Sequence, residues 1–255
     1  VALVTGAARG IGRAVAVRFA AEGASVWLND RQADSALDAA LAGARAAGPG
    51  AHGVVAADVA ERAAVDRMVA EVAAAAGRLD ILVNNAGIQA PGPSDVLDEA
   101  TYRRVMAVTL DGAVWAARAA LAQFLAQGGG GVILNCSSVH ETVPKPGYLS
   151  YALAKGAIGN LTRTLALEYA DRGIRVNAVA PGATLTDMNA AWAEDPVARR
   201  AVEGHIPLGR AATPEEIAGV FAFLASDDAA YITGQTIFAC GGVTLHADFQ
   251  RNWSS

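Results

Sequence analysis

Seven short apolar runs alternate along this chain with segments whose apolar residues recur every three or four positions. Runs of the first kind read as buried strands and segments of the second as helices. The runs are VALV at the start, ASVWLND ending at Asp30, AHGVVAADV over 51–59, DILVNNAGI over 80–88, GGGGVILNCSS, GIRVNAVAP from 173, and GQTIFACGG. Helical patterns lie between them: GRAVAVRFAAEG, an Ala-rich stretch between Gln32 and Gly50, residues 61–77, residues 99–127, YALAKGAIGNLTRTLALEYA from Tyr151, and TPEEIAGVFAFLAS. The last opens with Thr213 as N-cap, a proline next to it and two acids in the first turn. Residues 187–212 interrupt the alternation as a more polar excursion. Strands alternating with helices predict an α/β fold, a doubly wound parallel sheet of about seven strands with helices on both faces. No linker or repeat divides the 255 residues, so one domain is expected, with halves of roughly 1–130 and 131–255.

Composition narrows the partners. Hydrophobic residues make up 53% of the chain, accompanied by 27 glycines, which suits buried parallel strands joined by tight turns. The net charge is −5 and no basic run or basic–aromatic stripe appears, which argues against nucleic acid. The two cysteines, Cys136 and Cys240, sit in apolar strand-like runs and read as reduced core residues rather than a disulfide, a metal pair or a nucleophile. No apolar run approaches the roughly 18 residues of a membrane span, so no membrane partner and a cytoplasmic location are expected. The chain opens in a strand without an initiator Met, which points to a short natural leader ahead of it.

The first strand runs into a glycine-rich turn, with Gly6, Gly10 and Gly12 spaced G-x-x-x-G-x-G. Glycines there let the backbone turn sharply and approach a ligand, and the helix that follows offers unpaired N–H groups to a pyrophosphate. This reads as a dinucleotide site in a Rossmann-type fold. Asp30 closes the second strand about 20 residues on, where an acid binds the adenosine ribose hydroxyls and repels a 2′-phosphate. It favours NAD. Arg9 and Arg31 could each pair with a phosphate and leave NADP open. Asp58 and Asn84-Asn85-Ala86-Gly87 fall at strand ends, where they suit either a ligand crevice or a local turn.

The segment SSVHETVPKPGYLSYALAK carries the candidate chemistry. Ser138 precedes Tyr151 by thirteen residues, and Lys155 follows it by four, one helical turn along the same face. A tyrosine ordinarily titrates near pH 10, and a neighbouring ammonium favours a phenolate at lower pH, which would let the phenol serve as a base. A serine hydroxyl beside it would hold a substrate oxygen. With 5 tyrosines in the chain, a single Y-x-x-x-K is also compatible with accident and a solvated lysine, so the stretch alone leaves both readings open.

Taken together, T-G-x-x-x-G-x-G at 5–12, Asp58, N-N-A-G at 84–87, Ser138, Y-x-x-x-K at 151–155 and P-G-x-x-x-T at 181–186 resemble the short-chain dehydrogenase/reductase family over the whole chain. SSVHE (137–141), residues 165–183, Asn189 and the tail over 231–250 are similar to the bacterial glucose 1-dehydrogenases of that family. The resemblance implies Ser138, Tyr151 and Lys155 as catalytic residues, with Thr109 in the fourth catalytic position. It implies a cofactor site of Gly6, Arg9, Gly10, Ile11, Gly12, Asp30, Arg31, Asp58, Val59, Asn85, Ala86, Gly87, Tyr151, Lys155, Pro181, Gly182, Thr184 and Thr186. It implies a substrate site of Ser138, Tyr151, His140, Gln89 and Asn189, and no metal. Three departures stand out. Thr109 replaces the Asn that in the family holds a water linking the lysine to solvent, Gln89 stands where the glucose enzymes usually have Glu, and KPGYLS (145–150) replaces a more aromatic loop.

The implied reaction is reversible oxidation of a sugar or secondary alcohol by NAD(P)+, an aldose giving a lactone. A carbonyl or 3-oxoacyl reductase of the same family and a nucleotide-binding subunit without turnover are the alternatives. The resemblance also implies a homotetramer that pairs helices 99–127 and 151–170 across subunits. Phe249 and Trp253 in the tail are expected to pack near a substrate pocket or a subunit interface.

Overall fold

The computed structural model describes residues 1–245; the tail positions Phe249 and Trp253 lie outside them. Seven parallel strands form one sheet: β1 (Ala2–Val4), β2 (Val26–Asp30), β3 (Gly53–Ala56), β4 (Ile81–Asn84), β5 (Gly131–Cys136), β6 (Ile174–Pro181) and β7 (Thr236–Ala239). Their spatial order is 3-2-1-4-5-6-7. The order reverses between β1 and β4, and in such sheets ligands bind beyond the carboxyl ends of the strands at that crevice. The expected doubly wound α/β sheet is therefore present. The third strand is shorter than the sequence pattern, ending at Ala56 and leaving Asp58 in the loop beyond.

Helices cover both faces. α1 (Gly10–Ala21), α2 (Ser35–Ala47) and α9 (Pro214–Ala225) enclose one core, with Phe19, Leu28, Leu37, Leu134 and Phe221 fully or almost fully buried. α3 (Arg62–Ala76), α5 (Gly112–Gln127) and α6 (Leu149–Tyr169) enclose the other, around Met68, Leu82, Leu121, Phe124 and Ile133. The predicted helix over 99–127 is continuous, but α4 (Glu99–Met106) passes into α5 through a π-helical turn, Ala107–Asp111. A sequence pattern with period 3.6 gives no sign of one inserted residue. Such turns occur frequently at functional sites.

An 18-residue window of this helix reaches a mean hydropathy of 1.4, enough by length and composition to cross a membrane. Its apolar side has a use within the fold: Ala116, Ala117, Ala120, Leu121 and Phe124 are buried against α3 and the sheet. The 187–212 excursion folds into two short helices, α7 (Ala190–Ala193) and α8 (Pro196–Glu203). Cys136 and Cys240 are both free and buried. Burial pushes the Cys136 thiol pKa up, which suits a core residue.

α9 begins as the sequence predicts. The Thr213 hydroxyl accepts from the Glu216 N–H and the Glu216 carboxylate accepts from the Thr213 N–H, a reciprocal capping box. Arg210 is also paired with that carboxylate and, with the Thr213 N–H, holds its pKa down at about 2. Replacing Thr213 with Ala removes one cap partner and is expected to cost about 1 kcal/mol. Thermal denaturation should show a melting temperature lower by about 2–4 °C.

Candidate active site

A cleft of about 810 Å³ opens over the carboxyl ends of β1, β4, β5 and β6. At one end is the glycine turn. Gly6 and Gly10 have positive φ, 63° and 55°. A Cβ on Gly12 would stand 2.3 Å from the Gly6 carbonyl oxygen, so any side chain there displaces the turn. Gly12 thus shapes the cleft from beneath without lining it, whereas Gly6, Arg9, Gly10 and Ile11 do line it. Arg9 stands at the N-cap of α1 and makes no side-chain cap there. The first-turn N–H groups are free for an anion.

Thr5, which the candidate set omits, fastens this turn to β4. Its hydroxyl accepts from the N–H groups of Asn85 and Ala86 and donates to the Val83 carbonyl. The Asn85 side-chain amide donates to the carbonyls of Thr5 and Gly6, each at 3.0 Å. The turn is thereby held in shape from behind before any ligand arrives. A polar residue ahead of the first glycine is the only sequence sign of this, and Thr has many uses in such a position.

Asp30 lines the cleft beside the turn. Its carboxylate accepts from the Ala8 N–H at 3.2 Å and the Arg31 N–H at 2.8 Å, which fixes its orientation. Arg31, Asp58, Val59, Ala86 and Gly87 line the same end, and Asp58 accepts locally from the Ala60 N–H. Asn29, Arg104, Ala107 and Val108 join them, although the sequence did not single them out. On the opposite wall stand Pro181, Gly182, Thr184, Thr186 and Asn189. The Asn189 side chain donates to the Thr184 carbonyl at 2.9 Å. A glycine turn that brings backbone to the cleft, a helix start without a side-chain cap and a fixed carboxylate at the end of the neighbouring strand fit a dinucleotide.

At the other end Ser138, Tyr151 and Lys155 share the cleft. Ser138 ends the loop after β5, where its hydroxyl accepts from the His140 N–H. The i, i+4 spacing on α6 aligns Tyr151 with Lys155, whose Nζ is 5.4 Å from the phenol ring centre. Lys155 is 4% exposed, and its ammonium donates to the Cys136 carbonyl at 2.6 Å.

Three further candidates stand outside the lining. Thr109 lies in the π-helical turn, buried behind Gly87; its hydroxyl donates to the Ile88 carbonyl and accepts from the Ile88 N–H. A Cβ on Gly87 would be 3.5 Å from the Thr109 methyl and 3.7 Å from Lys155 Nζ, so this glycine lies between the threonine and the lysine. Thr109 thus holds the wall behind Gly87, with Lys155 Nζ on the other side of that glycine. His140 packs edge-on to Tyr151, ring centres 6.4 Å apart, with Nδ1 3.0 Å from the Val143 carbonyl. Burial lowers its pKa, so the ring is neutral at neutral pH, Nδ1–H donates and Nε2 keeps its lone pair. Gln89 does not line the cleft itself but reaches the carbonyl of Met188, which does, at 3.4 Å.

Comparison with known proteins agrees with this geometry. A family model described as Enoyl-(Acyl carrier protein) reductase matches residues 6–244. The chain is 48% identical to a glucose 1-dehydrogenase of Gluconobacter oxydans, over 99% of this chain and 95% of that protein. It is 46% identical to 3beta-hydroxysteroid dehydrogenase 1 of Eggerthella lenta, over 97% and 95%. A solved Agrobacterium tumefaciens chain with bound NADP is 34% identical, with a TM-score of 0.87 and 95% of each chain covered. By matched length, identity and fold, the chain belongs to the short-chain dehydrogenase/reductase family, oxidoreductases acting on CH–OH groups.

Proposed function

We propose that the protein reversibly oxidises a sugar hydroxyl or secondary alcohol with NAD(P)+, with an aldose oxidised at its anomeric carbon to a lactone as the leading case. The observation that carries this reading is the placement of Tyr151 and buried Lys155 one turn apart on α6, in one cleft with Ser138 and the glycine turn. Ser138 donates its hydroxyl hydrogen to the substrate oxygen and orients it. The phenolate oxygen of Tyr151 takes the hydroxyl proton as the carbon–oxygen double bond forms. The Lys155 ammonium, 5.4 Å from the ring centre, favours the negative charge on that oxygen. It also has N–H groups to offer a ribose hydroxyl. NAD(P)+, held over the glycine turn and beside Asp30, would supply the hydride acceptor. In this reading His140, neutral and edge-on to Tyr151, would accept from a further substrate hydroxyl through Nε2, which suits a polyol more than a simple ketone.

NAD+ is the preferred cofactor in this reading. The Asp30 carboxylate is fixed by two backbone N–H groups and cannot turn away from a 2′-phosphate. Arg31 and Arg9 are exposed, and Arg9 is already 3.7 Å from Asp187. A homotetramer in the cytoplasm completes the proposal. Leu149, Leu153 and Leu167 are exposed on one face of α6 and would be covered by pairing with a second copy.

NADH and NADPH fluorescence against aldoses, polyols and secondary alcohols at pH 8 tests the reaction. Turnover of glucose or a near epimer with NAD+ is expected. Activity on other alcohols alone would discard the sugar and keep the chemistry, while NADPH-driven carbonyl reduction alone would favour the reductase. Tyr151→Phe should abolish turnover and leave NADH binding intact; wild-type kcat in that variant would refute the assignment. Asp30→Ser should raise kcat/KM with NADP+ relative to NAD+ by about tenfold or more, since it removes a fixed like charge from the phosphate position. Light scattering of Leu153→Glu should show a smaller assembly than wild type.

A further inference from the structure

The proposed reaction uses Ser138 but leaves unexplained a carboxylate three residues further on. The Glu141 side chain is only 6% exposed. Burying a carboxylate is costly unless it is well partnered, and this one is partnered from three directions. One oxygen accepts from the Ser137 hydroxyl at 2.6 Å. The other accepts from the Thr236 hydroxyl of β7 at 3.2 Å and lies 3.5 Å from Nη1 of Arg163 on α6.

The helix is shaped to receive it. A Cβ on Gly159 would stand 2.2 Å from Glu141 Oε1, so the carboxylate occupies space that only glycine leaves open. Tyr151, Lys155, Gly159 and Arg163 follow one another at four-residue intervals and form one slowly turning row along α6. The phenol and the ammonium occupy the first two places of that row, and Glu141 docks into the third. Its immediate partner, Ser137, adjoins Ser138 in the chain. Ser137 also donates its N–H to the Val179 carbonyl and lies 3.4 Å from the Lys155 carbonyl.

We propose that Glu141 is a positioning residue, its buried carboxylate locking the Ser137–Ser138 segment onto the Gly159 notch of α6 and so setting the distance between the Ser138 hydroxyl and Tyr151. An apolar residue could fill the same volume, but it could not fix a serine loop, a helix and β7 together through directed hydrogen bonds. The inference rests on the role given above to Ser138.

The test measures kcat, KM and NADH affinity with NAD+ and the best alcohol of the panel. Glu141→Ala should lower kcat by about 10- to 100-fold, the scale of an ångström-sized misplacement of a reacting group. NADH affinity should be unchanged, and hydrogen exchange at the 137–141 amides should rise. Glu141→Gln keeps an acceptor for Ser137 and should recover most of the loss. Gly159→Ala expels an unaltered carboxylate and should reproduce the Glu141→Ala defect, with the double variant no worse than either single one. In a Ser138→Ala background, Glu141→Ala should add nothing. Wild-type kcat in Glu141→Ala overturns the inference, as does an equal loss with and without Ser138, which would mark a purely structural role. Wild-type kcat in Ser138→Ala overturns both this inference and the assignment beneath it. Should Glu141→Ala fail to fold, Glu141→Asp carries the test: the charge stays, the reach to Ser137 and Thr236 together is lost, and wild-type kcat would again be decisive against the proposal.

Discussion

A buried ammonium sets the terms for the rest of this structure. Lys155 is almost fully removed from water, and among the described residues its one hydrogen-bond partner is the Cys136 carbonyl at the end of β5. A charge in that position costs several kcal/mol of lost hydration, so the fold tolerates it only where something else will use the remaining N–H groups. That requirement explains several neighbours. α6 must lie close enough to β5 for Nζ to reach a backbone carbonyl. Gly87 packs directly over the ammonium, where a Cβ would come within ordinary contact distance, 3.7 Å, of Nζ. Thr109 must hold the Ile88 backbone in place behind that glycine, which it does by donating and accepting at once.

The two ends of the cleft are prepared in different ways. At the nucleotide end, preparation is by exclusion of side chains: Gly12 cannot carry one without striking Gly6, and Asn85 turns its amide inward to brace the same turn. At the reacting end, preparation is by polar contacts that fix a loop, through Ser137, Glu141 and Thr236. The first mode gives close backbone approach to phosphate oxygens, which need N–H groups and little else. The second fixes a hydroxyl relative to a phenol, which needs direction as well as proximity.

What could be read from the sequence follows from this division. Strand and helix periodicities, the glycine spacing, Asp30 at the end of β2 and the i, i+4 pair on α6 are all local, and each is visible in a window of a few residues. The Thr213 capping box is local too. The π-helical turn at 107–111 was hidden because one extra residue within an apolar helix leaves its composition unchanged. Thr5, Glu141 and Gly159 were hidden because their roles exist only between distant segments. Glu141 in SSVHE looks like a solvated loop acid until α6 is packed against it, and Gly159 looks like a weak point in a helix until the carboxylate fills it. Gln89 and His140 show the converse: both are expected to face a substrate, yet neither lines the cleft directly; Gln89 reaches the carbonyl of Met188, which does, and His140 packs edge-on to Tyr151 with Nδ1 on the Val143 carbonyl.

In the excursion over 187–212, Asp187, Met188 and Asn189 at its start line the cleft, and two side-chain contacts reach them from across it: Arg9 to Asp187 at 3.7 Å between exposed side chains, and Gln89 to the Met188 carbonyl at 3.4 Å. Exposed pairs of this kind contribute little and weaken further with salt. By contrast, the base of the excursion is tied down by main-chain bonds between Ala183, Leu185 and Ala212 and by Asn189 on the Thr184 carbonyl. Further along, the Leu208 N–H donates to the Gly241 carbonyl, and Ile206 and Ala211 are buried, so the segment is held to the body of the protein at its far end as well. The wall at Asn189 therefore depends on main-chain and buried contacts, and the exposed Arg9–Asp187 pair adds little to them.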